Sequence, residues 1–512
     1  MTSTIKALLE GHAGDAPAIG APGRDWLTFD GLRALSDSVA ADLHRSGVGR
    51  GDRVAIVLPN GPEMATAFIT IAQTAVTAPL NPAYREDEFA FSLEDFGAKV
   101  LVVEDGYDGP ALAAARRFGL DVLRLQVAPG APAGLFSLSG AEGGKRAADT
   151  SAPGPEDTAL ILHTSGTTSR PKIVPLQQVN IAASADNIRA SLALDPSSRC
   201  LNVMPLFHIH GLVAAVAASL SAGASVWCAP GFDALRFFGW MQEARPNWYT
   251  AVPTMHQAIL ARAERNREIA AGAGLRLVRS SSASLPAQVM ARLAETFHAP
   301  VIEAYGMTEA AHQMTSNPLP PQPQKPGSVG QPAGPAVRIA HEAEDRLIDG
   351  TGEVVISGSN VTPGYEGNPE ANARSFFEAE GARWFRTGDQ GALDADGYLY
   401  LTGRLKEIIN RGGEKISPLE IDGVLMDHPS VAQVVTFALP HPKLGEEVAA
   451  ACVLRDGAAV SEADIRAFAA ERIADFKVPR RVLILDEIPK GATGKMQRIG
   501  LAEKLGLTTA DE

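Results

Sequence analysis

From residue 50 to residue 310, short apolar runs alternate with helical patterns. Asp52–Leu58 (Asp-Arg-Val-Ala-Ile-Val-Leu) and Lys99–Val103 are continuous apolar stretches of strand length, the pattern of strands covered on both faces. Between them the spacing predicts a helix over Glu63–Thr77. Leu275–Arg279 predicts another strand, followed by a serine turn, a helix over Pro286–Phe297 and a strand over Pro300–Ala304. That β-α-β rhythm predicts a mixed α/β fold, with parallel or mixed sheets covered by helices. A Gly/Ala/Pro-rich stretch near 128–156 reads as surface loop, and no internal repeat stands out.

After residue 315 the texture changes. Pro318–Gly327 is a proline-rich loop, and Glu353–Ser357 and Tyr398–Thr402 predict short strands. Two helix starts are legible near the end: Ser417-Pro-Leu-Glu420 and Ser461-Glu-Ala-Asp464 both fit a capping box, with Pro418 at the tolerated first helical position. A chain of 512 residues exceeds what one hydrophobic core supports. The boundary falls at Gly403–Lys406, giving a large N-terminal domain, 1–403, and a small C-terminal α+β domain, 404–512.

Composition narrows the possibilities. The net charge of −13 speaks against nucleic acid or an anionic membrane as a general partner, since both require a basic surface. Cys200, Cys228 and Cys452 are far apart and form no CxxC pair, which points to a reducing cytoplasm and to small core residues. The segment Met1–His12 is interrupted by Glu10 and is too short in its apolar part for a signal peptide. No apolar run reaches the roughly 18 residues of a membrane span, and the terminal Thr-Ala-Asp-Glu is not a peroxisomal signal.

Leu160–His163 reads as a strand leading into Thr164-Ser-Gly-Thr-Thr-Ser-Arg-Pro-Lys172. Small hydroxyl residues, a glycine and a basic end suit a loop that wraps phosphate oxygens. It is not the GxxxxGK[ST] loop: the second glycine is absent and Ile173 follows the lysine. Ile173-Val-Pro looks extended, so the loop is expected to join two strands. Taken alone, the segment reads first as a polar hairpin. Gly47-Val-Gly-Arg-Gly51 precedes a strand instead of following one, which excludes a dinucleotide fingerprint.

Further motifs follow in order: Glu303-Ala-Tyr-Gly-Met-Thr-Glu309, Thr387-Gly-Asp389, Gly403-Arg404, Gly412-Gly-Glu-Lys-Ile-Ser-Pro418 and Gly494-Lys495. With Thr164–Lys172 they resemble the adenylate-forming superfamily of acyl-CoA synthetases, luciferases and peptide-synthetase adenylation domains. One departure is Ser169, where the family usually has glycine. The resemblance implies an ATP-dependent acid–CoA ligase that uses ATP, Mg²⁺ and coenzyme A. It implies that Thr164, Ser165, Gly166, Thr167, Thr168 and Lys172 hold phosphates. Ser282, Ala283 and Ser284 would line the nucleotide site with Glu303, Ala304, Tyr305, Gly306, Met307 and Thr308. Within that site Tyr305 would stack on adenine and Thr308 would bond the α-phosphate region.

The same resemblance gives Glu309 to Mg²⁺, an ion that prefers oxygen ligands shared with phosphates. Asp389 would accept from the ribose hydroxyls, with Arg404 at ribose or phosphate. On the residues alone, Glu309 is equally a helix cap and Asp389 a turn aspartate. Lys495, in the glycine-bearing loop Lys490–Lys495, would stabilise the charge that develops as the acid attacks the α-phosphate. After adenylation the small domain would rotate about Lys406, bringing Gly412 and Gly413 to the pantetheine arm. Arg404, Lys406, Arg411, Lys415, Arg472, Lys477, Arg480 and Arg481 offer basic groups for CoA phosphates, or are solvated surface charge.

The acid pocket is expected from the Phe207–Gly211 turn, the Arg279–Ser284 turn and the residues after Glu309. Neither His208 nor His210 has a third ligand at zinc spacing, and His208 matches the family's pocket-lining histidine. A tunnel for a long acyl chain would leave Ser282 and His312 buried without polar partners. Glu303–Leu319 and Arg279–Leu285 closely resemble plant and fungal oxalyl-CoA synthetases, which implies oxalate, with Ser282 and His312 on its distal carboxylate. On the residues alone His312 equally caps the following loop. Malonate, methylmalonate or a short- to medium-chain fatty acid, a carrier-protein thiol as acceptor, a luciferase-like oxygenase and a non-catalytic scaffold are the other readings. Oligomeric state is not legible.

Overall fold

The computed structural model describes residues 3–140, 147–164, 171–489 and 496–507. Four sheets organise it. The first is seven-stranded, in the order Ser137–Ser139, Asp121–Gln126, Val100–Glu104, Arg53–Val57, Val76–Pro79, Thr158–His163, Ile173–Gln177. Its central pairs are parallel and both edges antiparallel. The second is nine-stranded and runs from Gln331–Pro332 through His312–Ser316, Val301–Met307, Leu277–Ser281, Trp248–Ala251, Arg199–Asn202 and Ser225–Cys228 to Pro17–Ala21 and Arg24–Thr28.

The strand interiors are apolar on both faces because helices cover both sides: Val54, Ala55 and Ile56 are fully buried, as are Leu101 and Val102. The expected strands at 52–58 and 99–103 are therefore present, as Arg53–Val57 and Val100–Glu104. The helix expected over Glu63–Thr77 is shorter. It spans Pro62–Ile71, and Val76–Pro79 is a parallel strand beside Arg53–Val57. Ala75 N–H donates to the Ile71 carbonyl to end the helix, and Val76 N–H donates to Asp52 to begin the ladder. A fully buried apolar run carries no periodicity that separates strand from helix, and the β-branched Val76–Thr77 pair favours strand. Leu277–Ser281 lies two residues later than expected, and Val301–Met307 runs three residues further. The stretch 128–156 is mostly loop but contributes the edge strand Ser137–Ser139.

A third, six-stranded sheet is built on Ala382–Leu393, which pairs with Gly352–Ser357, Phe376–Ala379 and Leu399–Arg404. From Arg404 the chain passes to the fourth sheet, where Ile409–Arg411 and Glu414–Ile416 form a hairpin beside Gly445–Leu454, Val431–His441 and Arg481–Ile484. Both expected helix starts are in place. Ser461 and Asp464 form a reciprocal capping box. Ser417 accepts from Glu420 N–H, while the Glu420 carboxylate pairs with Lys477 at 2.6 Å instead of reaching back. The three cysteines are buried and unpaired. Among the described residues no helix is long and apolar enough to cross a membrane.

Candidate active site

The strand pair Thr158–His163 and Ile173–Gln177 is antiparallel, with His163 opposite Ile173, so the phosphate-loop segment joins two strands as expected. Its neck is closed by Thr164 N–H donating to the Lys172 carbonyl at 3.0 Å and by Lys172 N–H donating to Thr164 Oγ1 at 3.3 Å. Ser165, Gly166, Thr167 and Thr168 lie outside the described residues, as does Lys495. Lys172 Nζ sits 4.0 Å from the Tyr365 ring centroid. Burial draws its ammonium below the ordinary lysine value, and the Glu309 carboxylate works in the opposite direction.

Two carboxylates converge from neighbouring sheets. Glu309 follows Val301–Met307 on a single turn, and its Oε1 accepts from Tyr365 Oη–H at 2.8 Å. Asp389 accepts from the Tyr305 hydroxyl and pairs with Arg404 Nε at 2.8 Å, an arrangement imposed by the register that sets Asp389 opposite Arg404. The Asp389 carboxylate raises the Arg404 value further, while burial and that carboxylate push the Tyr305 phenol up. Gly306 admits no substitute, since a Cβ there would stand 1.8 Å from the His312 carbonyl oxygen. Ala304, Met307 and Thr308 share this strand and turn.

Glu303 is buried beside the nucleotide motif. Its Oε1 accepts from Leu285 N–H at 2.9 Å, closing the turn that carries Ser282, Ala283 and Ser284. Burial pushes its carboxyl up to about 8. Ser282 occupies a left-handed conformation, φ 76°, which is costly for a non-glycine residue. Ala311 and His312 also have positive φ, 47° and 104°. Asn360 pins that turn, donating from Nδ2 to the carbonyls of Ala310 at 2.8 Å and Gln313 at 3.0 Å.

The acid-pocket candidates are drawn together. His210 Nδ1 lies 3.0 Å from Ser282 Oγ, and the His210 and His312 rings are 4.9 Å apart. His312 is buried at the start of the strand His312–Ser316. His208 is half-buried, its ring 4.7 Å from that of Phe207. Behind this layer, Arg279 is fully buried and donates to Thr250 Oγ1 and Gln313 Oε1. Gly412 and Gly413, φ 60° and 100°, make the two-residue turn of their hairpin, a geometry that needs positive φ at both positions. Of the basic groups considered for CoA, Arg404, Arg411, Lys415, Arg472, Lys477 and Arg481 each pair with a carboxylate: Asp389, Glu447, Glu342, Glu471, Glu420 and Glu462.

Sequence reasoning missed Tyr365, Asn360, Thr250 and the burial of Arg279. The segment Gly358–Tyr365, a polar Gly/Pro-bearing loop directly after a buried strand, carried the one usable signal for the first two.

Known proteins align with this arrangement along the whole chain. A sequence model described as AMP-binding enzyme matches residues 8–366, and one described as AMP-binding enzyme C-terminal domain matches residues 420–495. An oxalate–CoA ligase of Arabidopsis thaliana is 45% identical over 506 residues, covering 97% of this chain and 98% of that protein. An oxalate–CoA ligase of Saccharomyces cerevisiae is 41% identical over 479 residues, covering 89% of this chain and 87% of that protein. The crystal structure of ATP-bound MatB from Rhodopseudomonas palustris superposes with a TM-score of 0.87 at 29% identity, covering 98% of this chain and 99% of that one. On the strength of both family matches and of relatives similar over nearly their full length, the chain belongs to the AMP-binding enzyme family.

Proposed function

We propose that this enzyme activates oxalate, forming oxalyl-adenylate from ATP with release of pyrophosphate and then oxalyl-CoA with release of AMP. It is an AMP-forming acid–thiol ligase with ATP and CoA as co-substrates. The observation that carries the choice of acid is the polar cluster of buried His210, His312 and Arg279 with half-buried Ser282, where a fatty acyl chain would need apolar walls. The names of the Arabidopsis and yeast relatives support the same acid.

In this reading Asp389 and Arg404 hold the ribose, Tyr305 packs against adenine, and the phosphate loop with Lys172 and Thr308 holds the triphosphate. Glu309 carries Mg²⁺. The buried Glu309 carboxylate, with Tyr365 and Lys172 beside it, offers one hard oxygen ligand, and substrate phosphates would supply the others. When bound, Mg²⁺ neutralises phosphate charge. Lys495 then faces the α-phosphate during attack by the acid carboxylate. The small domain, 404–512, turns about Lys406 so that Gly412 and Gly413 approach the thiol for the second step. His208 orients the acid. Three unpaired cysteines support a reducing, cytoplasmic setting.

ATP–pyrophosphate exchange across oxalate, malonate, methylmalonate, acetate, benzoate and medium-chain fatty acids tests the substrate. Oxalate should give the highest kcat/KM. A fatty or aromatic acid ahead of oxalate would remove the substrate assignment and leave the ligase class standing.

A further inference from the structure

Arg279 is a cation in an unusual place. Its side chain lies on the strand Leu277–Ser281, in register with Thr250 on one side and Ile302 on the other, and it is fully buried. Among the described residues no carboxylate forms an ion pair with it, and its Nε has no hydrogen-bond partner. Burial draws the guanidinium down to about 9, which still leaves it charged at neutral pH. An unpaired buried charge is costly, and proteins keep one where something else compensates it.

The groups around it lead towards the acid pocket. Arg279 Nη2 donates to Gln313 Oε1 at 3.2 Å, and Nη1 donates to Thr250 Oγ1 at 3.4 Å. Nη1 also stands 3.5 Å from His210 Nε2, which is itself 2.6 Å from Thr250 Oγ1. A guanidinium only donates, so the network assigns Nε2 as the unprotonated acceptor, taking the Thr250 hydroxyl hydrogen. The imidazole proton then sits on Nδ1 and is donated to Ser282 Oγ, 3.0 Å away. With the imidazole N–H donated to its oxygen, Ser282 keeps its own hydrogen to donate, and its strained φ of 76° sets where that hydroxyl stands.

We propose that Arg279 is the positioning residue that makes this pocket select a diacid. Through Thr250 and His210 it fixes Ser282 as a donor, and its charge is the one that a second carboxylate on the substrate neutralises. A neutral tail of the same size satisfies neither demand: it leaves the guanidinium uncompensated and gives the serine hydroxyl a weaker acceptor. This rests on the diacid reading of the pocket given above.

Oxamate, the monoamide of oxalate, keeps the reacting carboxylate and the size and replaces only the distal charge. The test compares oxalate with oxamate in ATP–pyrophosphate exchange, for the intact enzyme and for Arg279→Met, Arg279→Lys and Thr250→Val. The unsubstituted enzyme should prefer oxalate by at least about tenfold in kcat/KM, as expected for recognition of a desolvated charge. If it uses the two acids equally, the diacid reading itself fails and this proposal falls with it. In Arg279→Met, kcat/KM for oxalate should drop about 30- to 100-fold while that for oxamate changes less than about threefold and the KM for ATP is unchanged, and Arg279→Lys should recover part of the loss. Equal losses for both acids, or an undiminished preference for oxalate, would overturn the role of Arg279 and leave the diacid reading intact. Should Arg279→Met fail to fold, Thr250→Val decides: it interrupts the chain of hydrogen bonds at nearly constant volume and should cut the oxalate-to-oxamate ratio about tenfold. An unchanged ratio in that variant overturns the proposal.

Discussion

Replacing Glu303 by glutamine should make the protein more resistant to unfolding, and increasingly so as pH rises. The carboxyl is almost fully buried, has one oxygen against Leu285 N–H and has no partner for Oε2 among the described residues. Burial holds it protonated up to about 8, against an ordinary value of 4.5. Below 4.5 both the folded and the unfolded chain hold the proton, and its contribution to stability is fully present. Between the two values only the folded chain holds it, so each rise in pH favours unfolding, and the contribution is lost by the time pH passes about 8. At about 1.4 kcal/mol per pH unit, the interval from 4.5 to about 8 amounts to roughly 5 kcal/mol, an upper limit because local opening of the Ser282–Leu285 turn relieves part of it. Glutamine keeps the acceptor for Leu285 N–H and has no proton to lose. The assay is the difference in Tm between Glu303→Gln and the unsubstituted protein, followed by scanning calorimetry across that pH window. The gap should widen steadily in favour of the variant. A gap that stays flat, or narrows as pH rises, would refute the reasoning.

Two further outcomes bear on the nucleotide side. Tyr365→Phe removes the donor 2.8 Å from Glu309 Oε1 and should raise the KM for magnesium–ATP about five- to tenfold, with little change in the KM for the acid. Steady-state kinetics with varied magnesium checks it, and an unchanged KM would detach Tyr365 from the carboxylate proposed for the metal. Lys495→Ala should lower adenylation by at least about 100-fold, as loss of a transition-state cation does, while ATP affinity by calorimetry stays within about threefold. Unaltered pyrophosphate exchange would remove Lys495 from the chemistry.

What was legible in the sequence was whatever a contiguous segment carries. The segment Thr164–Lys172 stood out by its hydroxyl-rich composition and basic end, and the extended Ile173-Val-Pro correctly placed it between two strands. Ser461 and Asp464 announced their helix because a capping box is a local contract between residues three apart. The helix read over Glu63–Thr77 overran because Val76–Pro79 is apolar on every side, and only the tertiary neighbour Asp52–Val57 tells it to extend. Thr250 and Arg279 were invisible for a related reason: parallel register brings them side by side, although 29 positions separate them in the chain. Asn360 reaches the Glu309 turn across 50 residues from a loop, through its side-chain amide. Collinear motifs are read along the chain, while Thr250, Arg279 and Asn360 come together only through tertiary contacts.

The depth of Cys200, Cys228 and Cys452 has a bearing on chemoselectivity. An enzyme that manufactures a mixed acyl–phosphate anhydride risks acylating itself, and thiolate is the most potent nucleophile a polypeptide offers. Here all three thiols are enclosed, and burial raises each well above its ordinary value, Cys452 to about 12. None is therefore available as thiolate to intercept the activated acid. The sulfur that meets the adenylate has to be delivered from solution, so thioester formation is reserved for the incoming co-substrate.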